Sequence, residues 1–460
     1  MGPLNAGMRR ELRLRRGDSR YAVDWNSLGE YLEFLEKRGV VPNVASLVGA
    51  TTIRIHELGH ANRAPTAREL VRMQDLVRTA MAEGPLGVGS SLIYALAAFA
   101  SHDELRALAL AAAEFCGGYY SHLRSESRHL LPAVNEIIDI ARTTRVHAEI
   151  WHFKAAGRDN WPLLAAAIER IEAARREGLD ISANVYPYFA GASGLDAAMP
   201  SWVQEGGHRS WLERLCDPEL RARVVKEIAS LQPDWESLYA AAGSAENVRL
   251  LGFRHAELQQ YCGRTLAKVA AARGRSAAET IVDLVLEDDS RVHAAYFMIS
   301  EDNLRRLLSL DWVGLCSDEE ALAPRGAFLQ HAPHPCAYGA FARFLGHYVR
   351  DKGLVELAEA IRRLTSLPAS NLRLVDRGVM RAGAHADVVI FEPAAVRDLA
   401  TYGQPHQFAA GIRHVIVNGQ LALRDGVPTG ARPGRFVRGP GQRNLSGRST
   451  PTSTAHITIA

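Results

Sequence analysis

Residues 146–154 read Val146-His147-Ala148-Glu149-Ile150-Trp151-His152-Phe153-Lys154. The stretch opens as a short apolar, strand-like run and closes on an imidazole and an ammonium. Strands that end in chemically capable groups are what a barrel with its site at the C-terminal rim requires. His147 lies five residues before His152, so on a strand it points to the opposite face and is left out of the candidate site.

The pattern recurs on both sides. Strand-like runs lie at 44–48, 86–90, 118–122, 179–186, 294–299 and 313–318, with amphipathic helical segments between them. Thr66 with Glu69, and Ser101 with Glu104, have capping-box spacing, and Asn160 opens a helix that runs to about Glu177. This alternation predicts an α/β fold with a parallel sheet and helical crossovers. No Gly-rich phosphate loop follows the first strands. Several runs end instead in polar groups, among them Ser121-His122, His152 with Lys154, Tyr186 and Ser317-Asp318. Both facts favour a (β/α) barrel over an open doubly wound sheet.

The barrel is expected over 24–370, with a helical, Trp-rich insertion at about 200–290. Short runs at 388–391, 414–418 and 421–423 predict a small β module over 371–438. The Arg-rich residues 1–23 and the Gly/Ser/Thr/Pro-rich tail 439–460 are expected to be poorly ordered.

A chain of 460 residues, 47% hydrophobic and 23% charged, can bury a core without staples. Its net charge of +3 lacks the basic excess of a nucleic-acid binder. The cysteines are Cys116, Cys216, Cys262, Cys316 and Cys336, with no C-x-x-C, which is a reduced, cytoplasmic pattern. The longest uncharged stretch, 84–102, is broken by Gly87, Gly89, Ser90 and Ser91, so it reads as a buried strand and loop and not a membrane span.

His122 and His152 close successive strands, so their imidazoles can meet one zinc ion; either alone reads as a core or surface histidine. Asp318, after an apolar run, reads as a metal ligand, a general base or a helix cap. Lys154 and Tyr186 can hold an anionic substrate or polarise its carbonyl. Arg124 and Glu126 read as a supporting pair. Cys316 shares a strand face with Asp318 and reads as a buried, inert thiol. His56-Glu57-Leu58-Gly59-His60 matches the H-E-x-x-H motif of zinc proteases. That chemistry needs one continuous helix, whereas Thr51-Thr52-Ile53-Arg54-Ile55 favours a strand and Gly59 interrupts the motif.

Taken in order, Asn43-Val-Ala-Ser-Leu-Val-Gly49, Tyr120-Ser-His-Leu-Arg-Ser-Glu126, His152-Phe-Lys-Ala-Ala-Gly157, Tyr186-Pro-Tyr-Phe-Ala-Gly191, Ser317-Asp318 and His334-Pro-Cys-Ala-Tyr-Gly339 carry a family likeness. The chain resembles the D-aminoacylase (N-acyl-D-amino-acid deacylase) branch of the amidohydrolase superfamily. The resemblance implies a (β/α)8 TIM-type barrel lacking its first two strands, with a small C-terminal β-sandwich portion. It implies zinc-dependent hydrolysis of a small-molecule N-acyl amino acid, with His122 and His152 as zinc ligands. Asp318 becomes the general base, able to touch a second metal, and Lys154 and Tyr186 contact substrate. Nucleic acid and membrane are not expected partners.

The chain departs from the family in several places, among them Phe153, where some relatives have a second His, and the absent leading strands of the β-sandwich. The family's His-x-His on strand one and its metal-ligating Cys on strand two have no counterpart here. Its Arg in His-Pro-Arg is Cys336, which implies a weak hold on a free α-carboxylate. Three readings stay open: a hydrolase whose start codon lies upstream, a short chain with weak or altered activity, and a degenerate, non-catalytic binding or structural protein able to pair its open sheet edge with another subunit; a homo-oligomer is compatible with each.

Overall fold

The computed structural model describes residues 2–15, 23–230 and 235–445. Its centre is a parallel sheet of six strands: β1 (Val48–Gly49), β2 (Gly87–Ser91), β3 (Gly118–His122), β4 (Ala148–Ile150), β5 (Ile181–Val185) and, after three strands described below, β9 (Val313–Leu315). Their order in the sheet is β1-β2-β3-β4-β5-β9. Each strand from β1 to β5 leads into a helical crossover on the way to the next, as the alternation predicts. Six strands agree with an eight-stranded barrel less two. Gly87 begins β2 where the backbones nearly touch: a Cβ there would stand 2.1 Å from the Gly118 carbonyl oxygen.

The helices Ala67–Glu83, His102–Ala113, Leu130–Thr144 and Leu163–Arg176 pack one flank of the sheet. Their apolar faces, including Val77, Leu108, Ile137 and Ile171, join Val88, Ile150, Ile181 and Val313 in the main core. The alternate residues of β4 and β5, Glu149, Ser182 and Asn184, face the other way and are polar. There Glu149 accepts hydrogen bonds from Ser182 Oγ (2.9 Å), Asn184 Nδ2 (2.6 Å) and Asn371 Nδ2 (3.1 Å).

The run at 294–299, expected in the parallel sheet, belongs elsewhere. β6 (Ala190–Gly194), β7 (Val248–Gly252) and β8 (His293–Phe297) form a separate antiparallel sheet in the order β6-β8-β7. This sheet shares a second core with Trp211, Leu215, Val224 and Ile228 of the insertion. The insertion therefore holds a strand, β7, besides its helices. Four antiparallel strands, β10 (Val388–Phe391), β11 (Ile412–Val417), β12 (Gln420–Arg424) and β13 (Val427–Pro428), make the C-terminal module. Asn43 ties it to the first strand region through Asp387 (3.0 Å) and Asn418 (2.7 Å). At the ends, Ala6–Arg15 and Pro440–Leu445 are helical; the rest of the expected tail, from 446, lies outside the described residues.

The H-E-x-x-H segment corrects the expectation of a strand. Residues Ala50–Leu58 are helical and carry His56 and Glu57. The helix stops at Gly59, whose φ of 63° is left-handed, so His60 lies beyond it and the zinc-protease geometry is absent. Burial overrides the β-branched run: Ile53 and Leu58 enter the core, and Arg54, 1% exposed, ion-pairs with Glu104. Arg54 also donates to the carbonyls of Ala61 and Arg63, fixing the loop that follows. The same pair alters a predicted cap. Ser101 accepts from the Glu104 backbone N–H, but the Glu104 carboxylate turns to Arg54 and not back to Ser101. Thr66 with Glu69 forms the full box. Asn160 ends a short 3-10 turn, and the helix proper begins at Leu163.

Two measurements test this framework. Replacing Glu104 by Ala leaves Arg54 buried and unpaired, so chemical denaturation should show a loss of about 3–5 kcal/mol. The double change Arg54→Met/Glu104→Leu should recover most of it; equal losses for the single and the double variant would show that packing, not the unpaired charge, sets the cost. The second concerns His147, which faces Asp180 at 2.8 Å and Glu149 at 3.7 Å. Burial pulls its pKa down, but the two carboxylates outweigh it and raise it above the ordinary value, while His147 holds Asp180 low. The His147 contribution is full below about pH 6.5 and fades as pH rises through the raised pKa; the Asp180 contribution fades below about pH 4. The stability gap between wild type and His147→Ala should therefore peak between those values and shrink towards pH 9. A gap that stays flat from pH 5 to 9 would exclude a charged pair.

Candidate metal centre

The parallel register places the candidate residues. Ser121 pairs with Ile150, Ile150 with Ala183, and Val185 with Leu315. The residues that follow, His122, His152, Tyr186 and Asp318, thus leave the sheet at its C-terminal rim. His152 has a φ of 40°, and its backbone N–H donates to Asn184 Oδ1 at 2.7 Å, so β5 fixes the turn that ends β4.

His122 and His152 meet, with ring centroids 4.3 Å apart. The residue between them is Glu126, four positions after His122 in the loop beyond β3 and 1% exposed. Its Oε2 stands 3.4 Å from His122 Nε2, and its Oε1 stands 3.1 Å from His152 Nδ1. Lys154 Nζ donates to Glu126 Oε1 (2.7 Å), His152 Nδ1 (2.9 Å) and the His152 carbonyl (3.0 Å). Ligand atoms of His122, Glu126 and His152 all lie within 4.8 Å of one another. Burial pushes the His122 pKa down to about 4 although Glu126 pulls it upwards, so the ring is neutral at physiological pH. Burial alone would raise Glu126, but His122, Lys154 and His152 hold it well below the usual carboxylate range.

The donor set fits a divalent cation. Two imidazoles and a carboxylate match a three-ligand catalytic zinc site with one position left open. His122 Nε2 and Glu126 Oε2 are buried with no hydrogen-bond partner, facing each other across a gap that a cation would fill.

Glu236, from the insertion, holds the Glu126 loop in place. It accepts from Ser125 Oγ (2.7 Å), Ser127 Oγ (2.7 Å) and the Glu126 backbone N–H (2.9 Å). It also lines a cavity of about 390 Å³ with Tyr94, Ser125, Met199 and Trp235. The Tyr94 ring lies edge-on to His122 at 5.9 Å, so cavity and cluster adjoin.

Tyr186 is buried beside the cluster, 6.4 Å from the His152 ring, and its hydroxyl has no partner. Burial, followed by the charges of Asp318 and Glu126, pushes this hydroxyl far above its ordinary pKa. Asp318 is exposed, has a φ of 52° and belongs to no metal-capable group among the described residues. The structure therefore gathers His122, His152, Lys154 and Tyr186, and leaves Asp318 on the rim, near enough to act on Tyr186 and Tyr94 through its charge. Arg124 does not pair with Glu126. It binds Glu136 at 2.9 Å and the carbonyls of Ala98 and Ala100, and so frees Glu126 for the histidines. Sequence reading took Glu126 for a supporting partner of Arg124 and missed Glu236; the four-residue step from His122 to Glu126 crosses a loop, where spacing says nothing of direction.

The amidohydrolase family model matches residues 5–422. The chain belongs to the amidohydrolase family. This amidohydrolase is 31% identical over 408 residues to the D-aminoacylase of Alcaligenes xylosoxydans xylosoxydans, covering 89% of this chain and 72% of that one. It is 30% identical over 422 residues to the N-acyl-D-glutamate deacylase of the same organism, covering 92% and 74%. Among solved structures, the N-acyl-D-glutamate deacylase of Bordetella bronchiseptica, complexed with zinc and a phosphonate inhibitor, superposes with a TM-score of 0.75 at 28% identity, covering 95% and 79%. A D-aminoacylase crystal structure gives 0.73 at 30% identity, covering 89% and 74%. As an amidohydrolase with such relatives, the chain is a hydrolase of carbon–nitrogen bonds other than peptide bonds.

If Glu236 positions Glu126, Glu236→Ala should weaken zinc binding roughly 10- to 100-fold, and Glu236→Gln, which keeps one acceptor, should lose less. Competition against a chromophoric chelator measures both. Unchanged affinity in the alanine variant would show that the loop holds Glu126 unaided.

Proposed function

We propose that this amidohydrolase is a zinc-dependent deacylase of N-acylated D-amino acids or closely related amides. The buried His122–Glu126–His152 cluster carries the reading: two orphaned polar atoms and three convergent donors at the rim of a parallel sheet. These three residues would hold the ion. Bound zinc supplies a water with a pKa near about 7 and polarises a carbonyl oxygen.

The chain's own groups do the rest. Glu126 as the third ligand leaves Asp318 free to act as the base, a division that suits its exposed place on the same rim. Asp318 takes the proton of the attacking water and returns it to the departing amine. Tyr186 Oη, buried and unpartnered, is free to donate to the acyl oxygen as charge develops there. Lys154 keeps Glu126 ionised and fixes His152. The cavity beside Tyr94 receives the variable part of the substrate. Among the described residues no two cysteines are joined in a disulfide, which suits a reducing compartment, and we place the enzyme in the cytoplasm. Among the described residues, no helix is long and apolar enough to cross a membrane.

Metal analysis and turnover of N-acyl-D-amino acids test the reading. Asp318→Asn should retain zinc and lose roughly 10²- to 10⁴-fold in turnover; His122→Ala should lose turnover together with the zinc held at this cluster. Full turnover in Asp318→Asn would remove Asp318 as the base. A wild-type chain that binds no zinc and turns over no amide would favour the non-catalytic binding protein.

A further inference from the structure

A second group of metal-capable side chains lies beyond β9, unused by the chemistry above. Ligand atoms of Glu319, His334 and Cys336 all lie within 4.8 Å of one another. His334 and Cys336 are 1% and 3% exposed, and Glu319 is half-buried. Two segments bring them together: the turn after β9 supplies Glu319, and the turn entering the helix Cys336–Arg343 supplies the other two.

The hydrogen bonds already prepare His334 as a ligand. Its Nδ1 accepts the Cys336 backbone N–H at 3.1 Å and stands 2.7 Å from Cys336 Sγ. Its Nε2 lies 2.8 Å from the Tyr402 hydroxyl. An imidazole whose Nδ1 accepts carries its proton on Nε2, where Tyr402 Oη accepts it. A ligating histidine characteristically has such an oxygen behind its far nitrogen. The rings of Tyr188 and Tyr402 pack edge-on against His334 at 5.2 and 5.0 Å, which keeps the ring in place. Tyr186 stands between the two clusters, 6.2 Å from His334 and 6.4 Å from His152.

We propose that Glu319, His334 and Cys336 form a second divalent-metal site, separate from the cluster at His122, Glu126 and His152 and independent of the function proposed for it. One thiolate, one imidazole and one carboxylate favour zinc or cobalt over magnesium or calcium. On binding, the Cys336 S–H proton leaves to solvent as the sulfur–metal bond forms, and His334 Nδ1 turns its lone pair from the thiol to the ion. Such a site would clamp the exit of β9 to the helix Cys336–Arg343.

Loading the full chain with Co2+ alone tests this. Wild type should take up two equivalents and show a thiolate-to-cobalt charge-transfer band. Cys336→Ser should keep one equivalent and lose the band, Cys316→Ser should keep the band, and His122→Ala should lose one equivalent yet keep the band. The His122 arm separates failure of this site from failure of the first. No band in wild type, or a band that survives Cys336→Ser, would overturn the proposal. Should Cys336→Ser fail to fold, alkylation of wild type decides: Co2+ should slow labelling of Cys336 at least ten-fold while leaving exposed Cys116 unchanged, and equal labelling of Cys336 with and without Co2+ would equally overturn it.

Discussion

The Glu126 carboxylate is the interaction on which the rim of this sheet depends. A buried, unpaired carboxylate costs several kcal/mol, enough to cancel much of a domain's stability. Here one carboxylate answers an ammonium and faces two imidazoles, and each of them is also buried. None of the four groups is tolerable alone, so the loop after β3 and the turn after β4 must sit where they do. The consequence is a site with fixed direction. Lys154 satisfies Oε1, leaving Oε2 and His122 Nε2 as the pair with unmet demand for a cation.

That arrangement reaches beyond the sheet. Ser125, Glu126 and Ser127 would be an ordinary loop without Glu236, which binds one group from each. Glu236 comes from the insertion, whose core is distinct from that of the sheet. The insertion therefore does two jobs with one side chain: it orients Glu126 and walls the adjoining cavity. Variation in the insertion can reshape the cavity while the Glu236 contacts keep Glu126 still, a division common where loops carry specificity over a rigid scaffold.

The parallel sheet was legible because its strands are short apolar runs ending in polar residues, at the spacing that helical crossovers impose. Its histidines were legible because the parallel register delivers equivalent strand ends to one rim. Three features were not legible, each for a physical reason. The Thr51–Ile55 run carries strand propensity, but a buried Arg54–Glu104 pair decides in favour of a helix, and propensity cannot foresee a partner fifty residues away. The run at 294–299 has the composition of a central strand, yet it pairs antiparallel with β6 and β7, and composition does not encode the direction of pairing. Arg124 and Glu126 are neighbours of opposite charge, and pairing them is the economical reading. The chain instead sends Arg124 to Glu136 and two carbonyls, because a guanidinium can satisfy several acceptors at the sheet's flank, where a lone carboxylate cannot.

Tyr186 gives these pieces a common logic. It is the first residue beyond β5, so it lies between the strand end that presents His152 and the one that leads to Asp318. Its ring contacts His152 on one side and His334 on the other, and its hydroxyl is left without a partner in a buried place. A buried hydroxyl with no acceptor is a cost that folding alone gives no reason to keep. It becomes reasonable if the acceptor is a substrate oxygen, present only when the site is in use. Phenylalanine would fill the same space and remove the cost, so the retained hydroxyl argues that this position answers to chemistry and not to packing.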